Sequence, residues 1–187
     1  MNHRVRWRPL VGPKHIAHTT PERYLAQVNQ LPVVDQHGNA LRSFEVLPED
    51  QLVRLDPSTP LPLSLVVLWC AGRCLMVFDR WKQEWELPGG QIEEGESPRE
   101  AAWRELHEET GQRPDVLTFA GVVTFALGSE QRQEHAAVYT GTLRSEGDFV
   151  VNQEIERIIW WDPDGAPVEG LSTSLDAEIA RRTRQTG

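Results

Sequence analysis

Gly89-Gly90-Gln91-Ile92-Glu93-Glu94-Gly95-Glu96-Ser97-Pro98-Arg99-Glu100-Ala101-Ala102-Trp103-Arg104-Glu105-Leu106-His107-Glu108-Glu109-Thr110-Gly111 is the stretch on which the fold turns. Its second half is written as a helix. Ser97 is an N-cap, Pro98 takes the first helical position, Glu100 completes a capping box, and Gly111 stands where the chain leaves in the left-handed region. These signals predict a helix over 98–110. Projected at about 100° per residue, Ala102, Trp103, Leu106 and Thr110 form the stripe that faces a core. Ala101, Glu105, Glu108 and Glu109 fill the adjacent arc, and Glu100, Arg104 and His107 face outward. Seven glutamates and two arginines lie in this stretch, so more than half of the net charge of −9 sits in one segment.

Three carboxylates therefore crowd one strip of the helix. Like charges one turn apart cost about 0.2–0.5 kcal/mol per pair in an isolated helix, and more where water is thinned out. Arg104 offsets part of this through Glu108, but Glu105 and Glu109 have no basic neighbour on their own face. A solvated acidic surface is the plain alternative. Against it, the carboxylates border the apolar stripe instead of opposing it, and a Pro-Gly-Gly loop brings backbone close to them. Hard divalent cations want oxygen ligands, and Mg²⁺ takes one or two carboxylates together with water and substrate phosphate. The spacing suits one or two such ions.

Outward from this stretch the chain alternates in type. Residues 63–70 and 74–78 read as strands joined by Ala71-Gly72-Arg73, which lets Cys70 and Cys74 face each other across a hairpin. Further strands are predicted over 116–127, 134–143 and 157–161, and a last helix over 175–184. In the third of these strands Trp160 and Trp161 alternate, one toward the core and the other partly exposed. Strands on both sides of a helix predict an α/β (α+β) fold, a mixed β-sheet between helices. Residues 1–58 read as an extension. It holds a short helix over 22–30 behind Thr20-Pro21, then a hairpin, 31–34 and 40–46, around Asp35-Gln36-His37-Gly38-Asn39. Pro57, Pro60 and Pro62 mark an extended connection to a main domain over 59–165, which a C-terminal segment over 166–187 packs against. Whether the extension shapes a substrate mouth or builds a homodimer stays open at this level.

Composition narrows the class. Hydrophobic residues make up 39% and charged residues 25% of the 187, the balance of a globular chain and not of a disordered one. The longest apolar run, 65–71, has seven residues, against the roughly 20 that span a bilayer, so no membrane partner is expected. Nineteen basic residues against 28 acidic ones argue against stable nucleic-acid binding by phosphate neutralisation. Two cysteines and no secretory pattern read as reduced, packed thiols of a cytoplasmic protein. No pair among His37, His107 and His135 has metal-ligand spacing, so none of them is given a role.

The pattern Gly90-(5)-Glu96-(7)-Arg104-Glu105-Leu106-His107-Glu108-Glu109-Thr110-Gly111, with Trp85-Glu86-Leu87-Pro88-Gly89 before it, resembles the signature of the Nudix hydrolases. Gln112 departs from it, where the family usually ends on an aliphatic residue, and a packing adjustment at the helix exit is expected there. The resemblance implies an α/β/α sandwich. It implies Mg²⁺ or Mn²⁺ held by Glu105, Glu108 and Glu109, with the Gly90 carbonyl as a further ligand, and Glu96–Arg104 as a structural ion pair. In some members the residue at Glu105 helps activate water, and members often recruit one more acid from a downstream loop. Glu154 is the preferred candidate because Asn152-Gln153-Glu154 is turn-like just before a strand; Glu156, Glu130 and Glu134 stand behind it.

The implied reaction is cleavage of a diphosphate linkage in a nucleoside triphosphate or another nucleoside diphosphate derivative. Paired cations can clamp attacking and departing oxygens while a carboxylate takes the proton of the attacking water. Trp81 and Trp85, in the loop before the signature, are the candidates for stacking on a base, although packing against the sheet is an equal alternative. The proline that often accompanies ADP-ribose hydrolysis and the tyrosine that accompanies dinucleoside polyphosphate hydrolysis are both missing near Phe125-Ala126-Leu127-Gly128-Ser129. Two other readings compete. A nucleotide-sensing module without catalysis would be expected to shed signature glutamates, and this chain keeps them all. A relative of isopentenyl diphosphate isomerase would need a cysteine in a distinctive segment, and neither Cys70 nor Cys74 has that context.

Overall fold

The computed structural model describes residues 31–171 and 174–185, and the helix expected over 22–30 lies outside them. Among the described residues the strands are β1 (Val33–Val34), β2 (Ala40–Glu45), β3 (Leu63–Cys70), β4 (Arg73–Asp79), β5 (Glu84–Glu86), β6 (Gly89–Gln91), β7 (Thr118–Leu127), β8 (Arg132–Leu143) and β9 (Ile155–Trp161). The helices are α1 (Pro98–Thr110) and α2 (Leu175–Gln185), with a 3-10 turn over Glu49–Arg54.

Strand β3 is an almost unbroken apolar run because both of its faces are covered. Leu65 and Val67 point into one cluster with Leu175, Ile179 and Ala180 of α2, while Val66 and Leu68 point into another with Ala102 and Leu106 of α1. The mixed sheet is thus sandwiched between helices, as the sequence implied. The strands run in the order β1-β2-β7-β8-β3-β4-β5, with β6 added to β3 and β9 to β4. Among the described residues only β3 and β8 pair in parallel, from Leu63 opposite Ala136 to Cys70 opposite Leu143.

The sheet splits in its middle. β3 and β4 pair only beside their turn, at Trp69 opposite Cys74 and Cys70 opposite Arg73. Beyond that point β4 takes β5 and β9 as neighbours, and β3 takes the Gly-Gly strand β6, with Ser64 opposite Gly90. This split admits the Pro-Gly-Gly loop to the sheet. The same register corrects the expectation for the thiols: Cys74 shares a face with Trp69 and Cys70 with Arg73, so the two buried, free cysteines point to opposite faces.

The hairpin placed in the extension is also reassigned. β1 and β2 do form one around Asp35 to Asn39, but β2 then pairs with β7 from Ala40 opposite Ala126 to Glu45 opposite Val122. It is the edge of the central sheet, and residues from Leu31 onward belong to the same compact unit. Trp161 is buried and Trp160 half-buried, in line with their alternation.

Helix α1 has the expected bounds and caps. The Glu100 N–H donates to Ser97 Oγ at 3.3 Å, the Ser97 N–H donates to Glu100 Oε2 at 2.8 Å, and Gly111 turns out at φ 69°.

Candidate active site

Two glycines let the loop lie against the acidic strip. A Cβ at position 89 would sit 2.3 Å from the Ser64 carbonyl oxygen, and one at position 90 would sit 2.3 Å from Glu105 Oε1. A side chain at position 89 would meet the β3 backbone and force the loop off the strand, whereas one at position 90 would displace the Glu105 carboxylate. The loop is pinned from both sides: the Val66 N–H donates to Pro88 O at 2.8 Å, and the Gly89 N–H donates to Glu109 Oε2 at 3.0 Å.

Glu109 is 4% exposed. Burial, reinforced by Glu86, Glu105 and Glu154, overrides the Gly89 hydrogen bond and pushes its carboxyl up to about 9. Glu105 is raised as well, again by burial first, with Glu108 and Glu154 adding to it against the pull of Arg104. Glu108 lies at the solvent edge. Arg104 does not face outward toward Glu108 alone. Its guanidinium holds Glu96 through Nε and Nη2, both at 2.9 Å, and the Gln91 carbonyl through Nη2 at 2.9 Å. Its Nη1 reaches Glu105 at 2.8 Å and Glu108 at 3.3 Å. Glu105 therefore does have a basic neighbour, contrary to the helical projection, because a guanidinium folded back along the helix spans adjacent positions. Hydrogen bonds from Arg104 hold the Glu96 carboxyl below the usual range.

These groups border a cavity of about 550 Å³. Six carboxylates line it, Glu86, Glu105, Glu108, Glu109, Glu154 and Asp176, against two cations, Lys82 and Arg104. The downstream acid preferred from sequence, Glu154, lines this cavity with the carboxylates of α1; Glu156, Glu130 and Glu134 do not. A second cavity of about 410 Å³ adjoins it, sharing Leu63, Lys82, Glu86, Phe125 and Asp176 with the first. Trp85 lines the second cavity, its ring edge-on to Phe78 at 5.1 Å. Trp81 lines neither and is 78% exposed, so the structure does not bring it to these cavities. The turn at Gln83 (φ 57°) separates the two indoles.

Sequence reasoning missed Lys82, Glu86 and Asp176. Lys82 Nζ holds Glu86 at 2.7 Å, and Asp176 Oδ2 accepts the Leu87 N–H at 2.9 Å. Burial pushes Glu86 up to about 7 and Asp176 up to about 6. Glu86 stood within the quoted approach to the signature, but nothing local linked Asp176, on α2, to it. The histidines lie elsewhere in role: His107 is exposed beside Arg113, His135 is buried on Thr124, and His37 bridges to Glu84 at 2.6 Å.

The donor set is all oxygen, rich in charge and short of counter-charge, which fits Mg²⁺ or Mn²⁺. Among the described residues no three His, Cys, Asp or Glu side chains converge closely enough to form a metal cage. A hard cation held here would take one or two of these carboxylates and complete its shell with water and substrate oxygens.

A mixed sheet between helices, split by a Gly-Gly strand beneath a carboxylate-bearing helix, defines the class: an α/β/α sandwich with an oxygen-donor site. The NUDIX domain model matches residues 60–183, and the chain belongs to that family. It is 35% identical over 101 residues to an 8-oxo-(d)GTP phosphatase of Mycolicibacterium smegmatis, covering 53% of this chain and 30% of that one. Over 51 residues it is 58% identical to an RNA pyrophosphohydrolase of Rhizobium meliloti, covering 25% of this chain and 30% of that one. The match thus spans about a third of the length of these curated relatives. Among solved structures, the Bacillus subtilis pyrophosphohydrolase BsRppH superposes with a TM-score of 0.60 at 18% identity, over 84% of this chain and 97% of that one. A MutT Nudix hydrolase from Burkholderia pseudomallei gives 0.56 at 23% identity, over 67% and 98%. At such identity these structures speak for the fold. No helix of the described residues is long and apolar enough to cross a membrane.

Proposed function

We propose that the chain hydrolyses a phosphoric anhydride in a nucleoside triphosphate or another nucleoside diphosphate derivative, with Mg²⁺ or Mn²⁺ at the strip formed by Glu105, Glu108, Glu109 and the Gly90 carbonyl. The observation that carries this reading is the desolvated Glu105–Glu109 pair against the Gly89–Gly90 backbone, on the wall of a cavity that opens into an aromatic-lined one. When bound, the divalent cation offsets charge on the phosphoryl oxygens and eases loss of a proton from water.

The remaining roles belong to the chain's own groups. Glu105 and Glu154 flank the cavity as acceptors for the proton of the attacking water. Glu96 and Arg104 lock the loop to the helix, which fixes the distance between the Gly90 backbone and the carboxylates. Lys82 stands where the two cavities meet and supplies positive charge to a diphosphate that passes between them. Trp85, Phe125 and Leu127 line the second cavity and receive the nucleoside by ring and apolar contact. A relative named for 8-oxo-(d)GTP supports a nucleoside triphosphate as the first substrate to try. The net charge of −9 supports a small molecule over a stable nucleic-acid complex, and a cytoplasmic setting fits both.

The test is a hydrolysis panel in Mg²⁺ and in EDTA, run beside Glu109→Gln. It holds unmodified and oxidised nucleoside triphosphates, ADP-ribose, nucleotide sugars and dinucleoside polyphosphates, with products identified by mass. Metal-dependent cleavage of a phosphoanhydride bond in one class, lost in Glu109→Gln, is the expected result. Tight metal-dependent binding without turnover in any class overturns the hydrolase reading in favour of a sensing module.

A further inference from the structure

The loop that carries Glu154 is fastened to the end of α1 by two side-chain amides. Asn152 makes four hydrogen bonds with one amide group. Its Nδ2 donates to the carbonyls of Glu108 at 3.3 Å and Glu109 at 2.9 Å, two residues of the acidic strip itself. Its Oδ1 accepts the N–H groups of Glu154 at 3.0 Å and Ile155 at 2.7 Å. All of the amide's capacity is used on the two elements that must meet. The turn is also held from the residue that follows β4, where the Arg80 N–H donates to Glu154 O at 2.8 Å and Arg80 Nη2 donates to Asn152 O at 3.3 Å.

Gln112 fastens the same loop further back. It is 3% exposed, and its Nε2 donates to Thr110 O at 3.3 Å and Asp148 O at 3.1 Å, while Oε1 accepts the Gly147 N–H at 3.1 Å. The space around Gly147 is shaped to this amide, since a Cβ there would lie 2.7 Å from Gln112 Oε1. The adjustment expected at the helix exit is therefore a hydrogen-bonded anchor and not an apolar repacking. An aliphatic side chain at this position fills volume but leaves the Gly147 N–H and the Asp148 carbonyl without their partner.

We infer that Asn152 is a positioning residue for hydrolysis, assisted by Gln112. Together they mount the Glu154 carboxylate on the helix that bears Glu105 and Glu109, so that acids from two separate elements act as one constellation. The inference rests on the proposed role of Glu154, which contributes its charge to the cavity that Glu105 and Glu109 also line. A local turn-forming role for Asn152 is the competing account. The two separate on Asn152→Asp: a carboxylate keeps the acceptor for Glu154 and Ile155, loses both donors, and sets a negative charge against the two helix carbonyls.

The experiment compares Asn152→Ala, Asn152→Asp, Gln112→Leu and Glu154→Gln, each alone and each of the first three combined with Glu154→Gln. Mn²⁺ uptake by metal-free protein is followed by electron paramagnetic resonance of the free ion, and hydrolysis of GTP and 8-oxo-dGTP is measured alongside. Both Asn152 variants are expected to lose about tenfold or more in Mn²⁺ affinity or kcat, with KM within about twofold, and Gln112→Leu is expected to lose less. Added to Glu154→Gln, none of them should cost anything further, because the group they position is already gone. Amide exchange at 147–155 should quicken in the same three variants. Full function in Asn152→Asp, or losses that simply add to those of Glu154→Gln, overturns the mount. Unchanged Mn²⁺ affinity and turnover in Glu154→Gln overturns the role of Glu154 and the inference with it. Loss in Glu154→Gln alone, with both Asn152 variants intact, overturns the inference and leaves that role standing.

Discussion

Glu109 Oε2 accepts the backbone N–H of Gly89 at 3.0 Å across twenty residues of sequence, and together with the bond from Arg104 to the Gln91 carbonyl it joins the Gly-Gly strand to the acidic helix. It is a donor too few for the site. One N–H stands against a carboxylate that is nearly buried and has Glu86, Glu105 and Glu154 as its electrostatic neighbours. The fold thus disfavours the charged form of this carboxyl, a cost that a cation bound beside it would offset.

The sign of that cost can be tested with Glu109→Gln, which keeps an oxygen for the Gly89 N–H. The Glu109 carboxyl is raised from 4.5 to about 9 in the fold. Its favourable contribution is fully present below the unfolded value and is lost as pH rises through the folded one. In EDTA, the Tm of Glu109→Gln relative to the parent should therefore climb between about pH 5 and pH 9. Added Mg²⁺ should raise the Tm of the parent and leave the variant little changed, since the substitution removes one of the proposed ligands. Calorimetric scans at several pH values check both, and a difference in Tm that does not vary with pH contradicts the assignment.

Much of this site was legible because its signals are local. Ser97, Pro98, Glu100 and Gly111 lie within one helix and its caps, and they fixed α1 to the residue. The acidic strip followed from helical geometry alone. What escaped was assembled from distant pieces. Lys82 and Glu86 come from the loop before the signature and Asp176 from α2, and no periodicity joins them. The strand β6 is three residues long and two of them are glycine, a composition that argues against a strand until β3 is there to pair with it. The place of β2 in the central sheet was hidden for the same reason, since its partner β7 lies some eighty residues on. The contact of Arg104 with Glu105 contradicts a projection that treats side chains as spokes, because a long guanidinium lies along the helix.

The two tryptophans of the preceding loop should differ sharply in effect. Trp85 lines the second cavity and packs on Phe78, whereas Trp81 is exposed and lines neither cavity. Trp85→Ala is expected to raise KM for the preferred nucleotide about tenfold or more, with Trp85→Phe recovering part of it, as base stacking is worth roughly 1–3 kcal/mol. Trp81→Ala should leave KM within about twofold. Equal effects of the two substitutions in steady-state kinetics remove Trp85 from the substrate pocket.

Arg104→Lys tests whether geometry or charge holds the loop. Lysine keeps the positive charge but cannot offer Glu96 two parallel donors and at the same time reach Gln91 O and Glu105. The variant should lose on the order of 1–2 kcal/mol, about 2–8 °C in Tm, and lose turnover as the loop drifts from the helix. Thermal scans and kinetics made on the same samples settle it. Parent-like values in both would mean that charge alone suffices.

Asp176 offers the last test, and one free of the metal strip. It sits at the second position of α2, accepts the Leu87 N–H at 2.9 Å, and borders both cavities. Burial raises its carboxyl from 3.8 to about 6, against the pull of the Leu87 hydrogen bond and Lys82, while Glu84 pushes the same way as burial. Because the folded value lies above the unfolded one, its contribution is fully present below the unfolded pKa of 3.8 and is lost as pH rises through about 6. Asp176→Asn keeps an acceptor for Leu87 and never ionises, so it escapes that loss. Its Tm relative to the parent should rise from about pH 4 to about pH 7.5 and then level off. The levelling distinguishes it from Glu109→Gln, whose gain continues to higher pH because the Glu109 carboxyl is raised further. Scans of the two single variants and the double variant in EDTA should show the gains arriving in that order. A relative Tm for Asp176→Asn that stays constant, or falls, across this range would mean that the carboxyl is already ionised at low pH and is held by Lys82 more than it is penalised by burial.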